Sequence, residues 1–310
     1  DGIRDTSVTG VQTCALPISL AVFPAGATFG SLVHGVLEHA DPAAPAHGGD
    51  LAAELRRLVG EQLRWWPVEL DPDALAGALV EVLHTPLGPA LDQRTLATIP
   101  RDDRLCELDF EIPLDGGDRR GRSGVGPRLR DLAALWRETL PADDPLAPYA
   151  DRLAAPPLGD QPLRGYLSGS IDVVLRVPDA ETGHRFVVVD YKTNRLSGPD
   201  ETPTAAHYAP DRLAEAMLHS HYPLQAALYS AVVHRYLRWR VPGYRPEQHL
   251  GGVVYLYLRG MAGADTPTTP GPHGPEPAGV FTWHPPAALV VGLSDLLAGA
   301  APALPEEARR

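Results

Sequence analysis

Apolar positions along the chain recur with two distinct periods. From Thr28 to His39, Phe29, Val33, Val36 and Leu37 fall at helical spacing, with His34 and Glu38 four residues apart beside the stripe. Residues 51–66 repeat the pattern through Leu55, Leu58, Val59 and Leu63. A third helix is predicted to start at Asp71-Pro72, a capping carboxylate followed by proline at the first helical position. Residues 104–114 (RLCELDFEIPL) alternate and predict a strand, 129–140 a helix, and 141–162 a segment broken by repeated proline. Two β-rich runs follow, YLSGSIDVVLRV at 166–177 and RFVVVDYK at 185–192. The polar stretch PDAETGH between them predicts a β-hairpin. Residues 203–218 and 223–239 read as helices, and LGGVVYLYL at 250–258 as a strand buried on both faces. Residues 262–278, with five Pro and three Gly, are expected to form a flexible loop. Residues 279–283 complete the strands and 286–298 the helices.

These elements predict an α/β protein in three parts. Residues 1–19 show neither period, and GVQTCALPIS looks like translated sequencing-adaptor read-through, so a non-native or disordered tail is expected there. Residues 20–162 form a helical lead-in with one sheet strand, carrying His34. Residues 163–310 form the core that holds the hairpin.

Composition narrows the classes. No run of about 18 apolar residues occurs, which excludes a membrane-spanning helix and fits a cytoplasmic protein. Two cysteines, Cys14 and Cys106, exclude a disulfide scaffold or cysteine-rich metal module and suit a reducing compartment. The net charge of −12 has the wrong sign for a nucleic-acid binder. Locally the balance reverses: between Ala216 and Met261 stand Arg235, Arg238, Arg240, Arg245 and Arg259 against one acid, Glu247, a stretch suited to phosphate contact. Lys192 is the only lysine in the chain. Its solitary survival amid arginine suggests a place where a compact ammonium is needed and a planar fork will not serve.

The candidate chemistry lies in the hairpin. Asp190 and Lys192, at i and i+2 near the end of its second run, project to one face, and Tyr191 to the other. If the hairpin turns around 179–184, Asp172 falls close to Asp190. Two carboxylates placed together repel, and a divalent cation removes the conflict. Hard oxygen ligands suit magnesium or manganese. Asp…Asp-x-Lys is a minimum kit for metal-assisted phosphodiester hydrolysis, the lysine stabilising developing charge. There is no Gly-x-Ser-x-Gly elbow, no His-Glu-x-x-His helix and no phosphate-binding Gly-x-x-x-x-Gly-Lys loop.

GATFGSLVHGVLEHAD, GSIDVVLRV, FVVVDYKTNRL, HSHYPLQAALYSAVVHRYLRWRVPGY and HLGGVVYLYLRGM, in that order, resemble the C-terminal nuclease domains of the RecB family, the β subunits of exodeoxyribonuclease V (RecBCD). The resemblance implies a restriction-endonuclease-like domain, three-layer α/β/α with a central mixed sheet. It implies a Mg2+-dependent DNA exonuclease of double-strand-break repair and recombination, partnered by DNA, RecC, RecD and the recombinase RecA. The family's helicase part is expected to lie outside this chain. By the same resemblance His34, Asp172, Asp190 and the main-chain carbonyl of Tyr191 are metal ligands, and Asp190 and Lys192 are catalytic. Gln225 and Tyr229 match a Gln-x-x-x-Tyr helix motif near the site or the DNA, and Glu107 an acidic residue near the metal. The rival expectations are a catalytically silent DNA-binding or recombinase-loading module of the same fold, and a related nuclease from another repair or defence system.

Overall fold

The computed structural model describes residues 18–43, 45, 48–115, 126–198 and 200–299. Its helices are α1 (Ala27–His39), α2 (Leu51–Gln62), α3 (Pro72–Leu83), α4 (Leu129–Thr139), α5 (Tyr149–Ala154), α6 (Pro210–His219), α7 (Tyr222–Arg240), α8 (Pro246–His249) and α9 (Ala287–Leu297). Its strands are β1 (Arg104–Leu114), β2 (Gly165–Asp179), β3 (Gly183–Lys192), β4 (Leu250–Tyr257), β5 (Thr268–Gly271), β6 (Gly274–Pro277) and β7 (Val280–Trp283). The central sheet is five-stranded and mixed, in the order β1-β2-β3-β4-β7, with flanking helices.

The chain divides into two compact units, each assembled from three separate stretches. One takes the chain up to Arg101 with Tyr191–Leu213 and Tyr255–Phe281; the other takes Asp102–Asp190, Ala214–Val254 and the chain from Thr282. β1 runs antiparallel to β2 from Arg104↔Leu175 to Leu114↔Gly165, which ties 104–114 to the later strand.

In the first unit, α1 buries Phe29, Leu32, Val33, Val36 and Leu37, and α2 buries Leu51, Leu55, Leu58 and Val59. Asp50 caps α2 by accepting from the Ala53 amide at 3.1 Å. Asp71 caps α3 by accepting from the Asp73 and Ala74 amides, with Pro72 in the first turn. Residues 268–277, expected within a loop, instead form the β5–β6 hairpin, paired from Thr268↔Pro277 to Gly271↔Gly274. A two-stranded ribbon consists only of edges, so prolines without an N–H are tolerated in it. Of the expected tail, residues 1–17 lie outside the described residues. Ile18 is buried, and Ser19 opens a 3-10 turn and donates to Glu81.

In the second unit, Val187, Val188 and Val189 of β3 are all buried, as expected for a strand covered on both faces. The β2–β3 turn is set by Asp179, whose carboxylate accepts from the Glu181 and Thr182 amides at 3.0 and 2.9 Å. These bonds hold its pKa below the usual aspartate value. Trp136 of α4 is fully buried, stacked on Trp283 with ring centres 5.3 Å apart, and donates to the Leu146 carbonyl at 3.0 Å. The Ala216–Met261 stretch offers less basic surface than its composition suggests. Arg259 is buried in the first unit, and Arg235 in the second is spent on Ser294.

Candidate active site

The second unit brings three of the expected carboxylates into one row. β2 and β3 pair from Asp179↔Gly183 to Val173↔Val189, so Asp172 and Asp190 are the next residues on their strands. On the other side of β2, Cys106↔Val173 and Leu108↔Ile171 pair, which sets Glu107 level with Asp172. Side chains opposite each other on antiparallel strands share a face. Glu107, Asp172 and Asp190 thus stand in line across three adjacent strands. Asp190 is 2% exposed and the other two are half-buried.

Glu107 sits at φ 46°, in the left-handed region. A residue with a side chain is strained there by about 1–3 kcal/mol, and such strain concentrates at functional sites. Its carboxylate accepts from Ser170 Oγ at 2.8 Å, on the face of β2 that carries Asp172.

α7 places the Gln-x-x-x-Tyr pair over this row. Gln225 Nε2 donates to the Tyr229 hydroxyl oxygen at 2.9 Å, one helical turn away. The Tyr229 ring meets Phe110 of β1 edge to face, with centres 6.1 Å apart. Burial pushes the Tyr229 pKa well above the ordinary tyrosine value, and the negative charges of Asp190, Asp172 and Glu107 push it further. The phenol therefore keeps its proton, and its oxygen accepts from Gln225.

The first unit holds the remaining residues of the set. His34 of α1 is half-buried, and its Nε2–H donates to the Tyr191 carbonyl at 2.9 Å. The bond fixes the tautomer, because a carbonyl can only accept. The two rings also meet edge to face, 5.9 Å apart. Gly30 lets α1 approach the strand exit, since a Cβ there would stand 3.2 Å from Thr193 Oγ1. Lys192 lies with Nζ 5.1 Å from the centre of the buried Tyr255 ring, a cation–π seat that orients the ammonium. Sequence reasoning did not identify Tyr255. The available signal was a pair of tyrosines, Tyr255 and Tyr257, inside an otherwise aliphatic buried strand, VVYLYL.

Among the described residues, no group of three or more His, Cys, Asp or Glu side chains is arranged to hold a metal ion. The donor set still suits a hard cation. Magnesium needs only one or two carboxylates, accepts carbonyl oxygen and keeps several waters. His34 Nε2 and the Tyr191 carbonyl oxygen, 2.9 Å apart, would supply one nitrogen and one oxygen donor to such an ion.

A family model described as the PD-(D/E)XK nuclease superfamily matches residues 19–307. The chain is 59% identical over 282 residues to RecBCD enzyme subunit RecB of Mycobacterium tuberculosis H37Rv, covering 90% of this chain and 24% of the relative. It is 57% identical over 295 residues to that of Mycolicibacterium smegmatis, covering 95% and 26%. Against that of Escherichia coli K12 the identity is 30% over 278 residues, covering 89% and 20%. The chain thus spans about a quarter of the length of the mycobacterial relatives. With the Asp190-Tyr191-Lys192 triplet inside a match that runs from residue 19 to residue 307, the chain belongs to the PD-(D/E)XK nuclease superfamily.

Proposed function

We propose that the chain is a magnesium-dependent exodeoxyribonuclease domain, the nuclease part of a longer RecB-type helicase–nuclease. In the whole protein its partners are DNA, RecC and RecD, with RecA downstream. Its setting is cytoplasmic double-strand-break repair and recombination. One observation carries the reading: a buried aspartate, Asp190, lies near the end of β3 two residues before the only lysine, in line with Asp172 and Glu107 on the neighbouring strands.

In this reading Asp172, Asp190, His34 and the Tyr191 carbonyl would hold the cation, with Glu107 as a further acidic residue near it. When bound, Mg2+ supplies charge neutralisation at the phosphate and a lowered pKa for water. The chain's own groups do the rest. To serve as a ligand through Nε2, His34 would carry its ring proton on Nδ1 in place of the Nε2–H that now donates to the Tyr191 carbonyl. Lys192, aimed by Tyr255, directs three N–H donors at the negative charge that grows on the phosphate. Tyr229, protonated and oriented by Gln225, is the neutral donor available to the carboxylate row.

The test is cleavage of linear duplex DNA by the full chain. Cleavage should require Mg2+, stop with chelator, and be lost in Asp190→Ala while DNA binding persists. Cleavage that survives chelation, or that Asp190→Ala retains, contradicts the proposal.

A further inference from the structure

Arg259 follows β4 and is 1% exposed. A guanidinium so deep in a protein ordinarily pairs with a carboxylate. Here, among the described residues, every hydrogen bond goes to a main-chain carbonyl. Nε donates to Thr193 at 2.8 Å, Nη1 to Leu20 at 2.6 Å and to Phe23 at 3.0 Å, and Nη2 to Pro24 at 2.6 Å. Four of the five guanidinium N–H groups can be used in this way, in the fixed fork that lysine lacks. The guanidinium carbon also lies 5.2 Å from the centre of the Phe29 ring, which stacks on Phe23.

The segments joined in this way are specific. Leu20, Phe23 and Pro24 lead into α1, Phe29 lies in its first turn, and α1 carries His34. Thr193 is the residue after Lys192. The carbonyls on either side of Lys192 are therefore both held by side chains, Tyr191 by His34 and Thr193 by Arg259. The next carbonyl, Asn194, accepts from the Tyr208 hydroxyl at 3.0 Å, and the same hydroxyl accepts from the Leu196 amide at 3.3 Å. The exit of β3 is pinned peptide by peptide, and one buried cation ties that pinning to the entry of the helix bearing His34.

We infer that Arg259 is a positioning residue for DNA cleavage: it clamps the Thr193 carbonyl and the Leu20–Pro24 carbonyls together, and so fixes Lys192 and His34 for the reaction. The inference rests on the nuclease reading above. Misplacing a reacting group by about 1 Å costs on the order of 100-fold in rate.

The experiment uses the full chain with Arg259→Lys and Arg259→Met. Leu79→Ala, a buried α3 position in the same unit, serves as a control for lost stability. Cleavage of linear duplex DNA with Mg2+ is measured per folded molecule, below the melting temperature of each variant. Arg259→Lys should lower kcat about 10- to 100-fold with KM within about twofold, while Leu79→Ala keeps the wild-type kcat. Amide hydrogen exchange across 191–196 should quicken in the Arg259 variants and not in Leu79→Ala. Arg259→Lys keeps the charge, so the comparison stands even if Arg259→Met does not fold. Wild-type kcat in Arg259→Lys, or unchanged exchange at 191–196, overturns the inference alone. A wild type that does not cleave DNA overturns the nuclease reading and this inference with it.

Discussion

Replacing Tyr229 by phenylalanine removes one oxygen from the carboxylate row and leaves the ring against Phe110 in place. The oxygen accepts from Gln225 Nε2 at 2.9 Å, and the phenol lies within electrostatic reach of Asp190, Asp172 and Glu107. Losing the neutral bond costs about 0.5–1.5 kcal/mol, and leaving Gln225 without that acceptor raises the total to about 1–3 kcal/mol. At roughly 2 °C per kcal/mol for a chain of this size, the melting temperature should fall by about 2–6 °C. A hydrogen bond to a charged acceptor contributes about 1.5–3 kcal/mol. If that bond orients a catalytic carboxylate, Tyr229→Phe should also slow cleavage by about 10- to 100-fold. The sign of the pKa shift adds a check. Burial and the three carboxylates raise the Tyr229 pKa, so the phenol stays protonated through pH 9 and beyond. The ratio of wild-type to Tyr229→Phe cleavage rates should therefore be constant from about pH 7 to 9.5. An alkaline loss of activity in the wild type that Tyr229→Phe lacks would refute the reasoning. So would a variant as active and as stable as its parent.

Two further predictions concern stability. Trp136→Ala removes a fully buried ring that stacks on Trp283, and strips the Leu146 carbonyl of its donor. Denaturant unfolding should show a loss of about 3–5 kcal/mol, and a loss under about 1 kcal/mol would contradict the packing described. Tyr149, also buried, has its pKa pushed up to about 12, chiefly by burial and partly offset by Arg152. The unfolded chain releases this proton near pH 10 and the folded one does not. Its contribution is thus complete below pH 10 and declines by about 1.4 kcal/mol per pH unit as pH rises toward 12. Tyr149→Phe should flatten that alkaline decline in urea titrations, and equal slopes would show that the phenol titrates normally in the fold.

How much was legible depended on whether the signal was local. β1 was readable to the residue because RLCELDFEIPL alternates, and α3 because Asp71-Pro72 marks its start. The level placement of Asp172 and Asp190 followed from the turn, since Asp179↔Gly183 sets every later pair. The β5–β6 hairpin was hidden by its prolines, which ordinarily mark loops. α5 was masked in the same way by the prolines around it. The predicted 203–218 helix is in fact a 3-10 turn at Ala205–Tyr208 followed by α6, divided at Pro210. The interleaved units depend on pairings between distant stretches, which no local pattern encodes. Arg259 was misread for a chemical reason: arginine signals surface, and the four carbonyls that hold it belong to segments far apart in sequence.

The central claim is that Lys192 acts on the reacting phosphate. The direct measurement is the cleavage rate and DNA affinity of Lys192→Ala and Lys192→Arg, with linear duplex DNA and Mg2+. Loss of one preorganised donor should cost about 10²–10³ in rate, or about 2.7–4 kcal/mol, with little change in affinity. Arginine should restore little, because its wider fork spreads the charge that the compact ammonium presents as a point. Near-normal cleavage by Lys192→Arg would contradict the account and reduce the solitary lysine to an accident of composition.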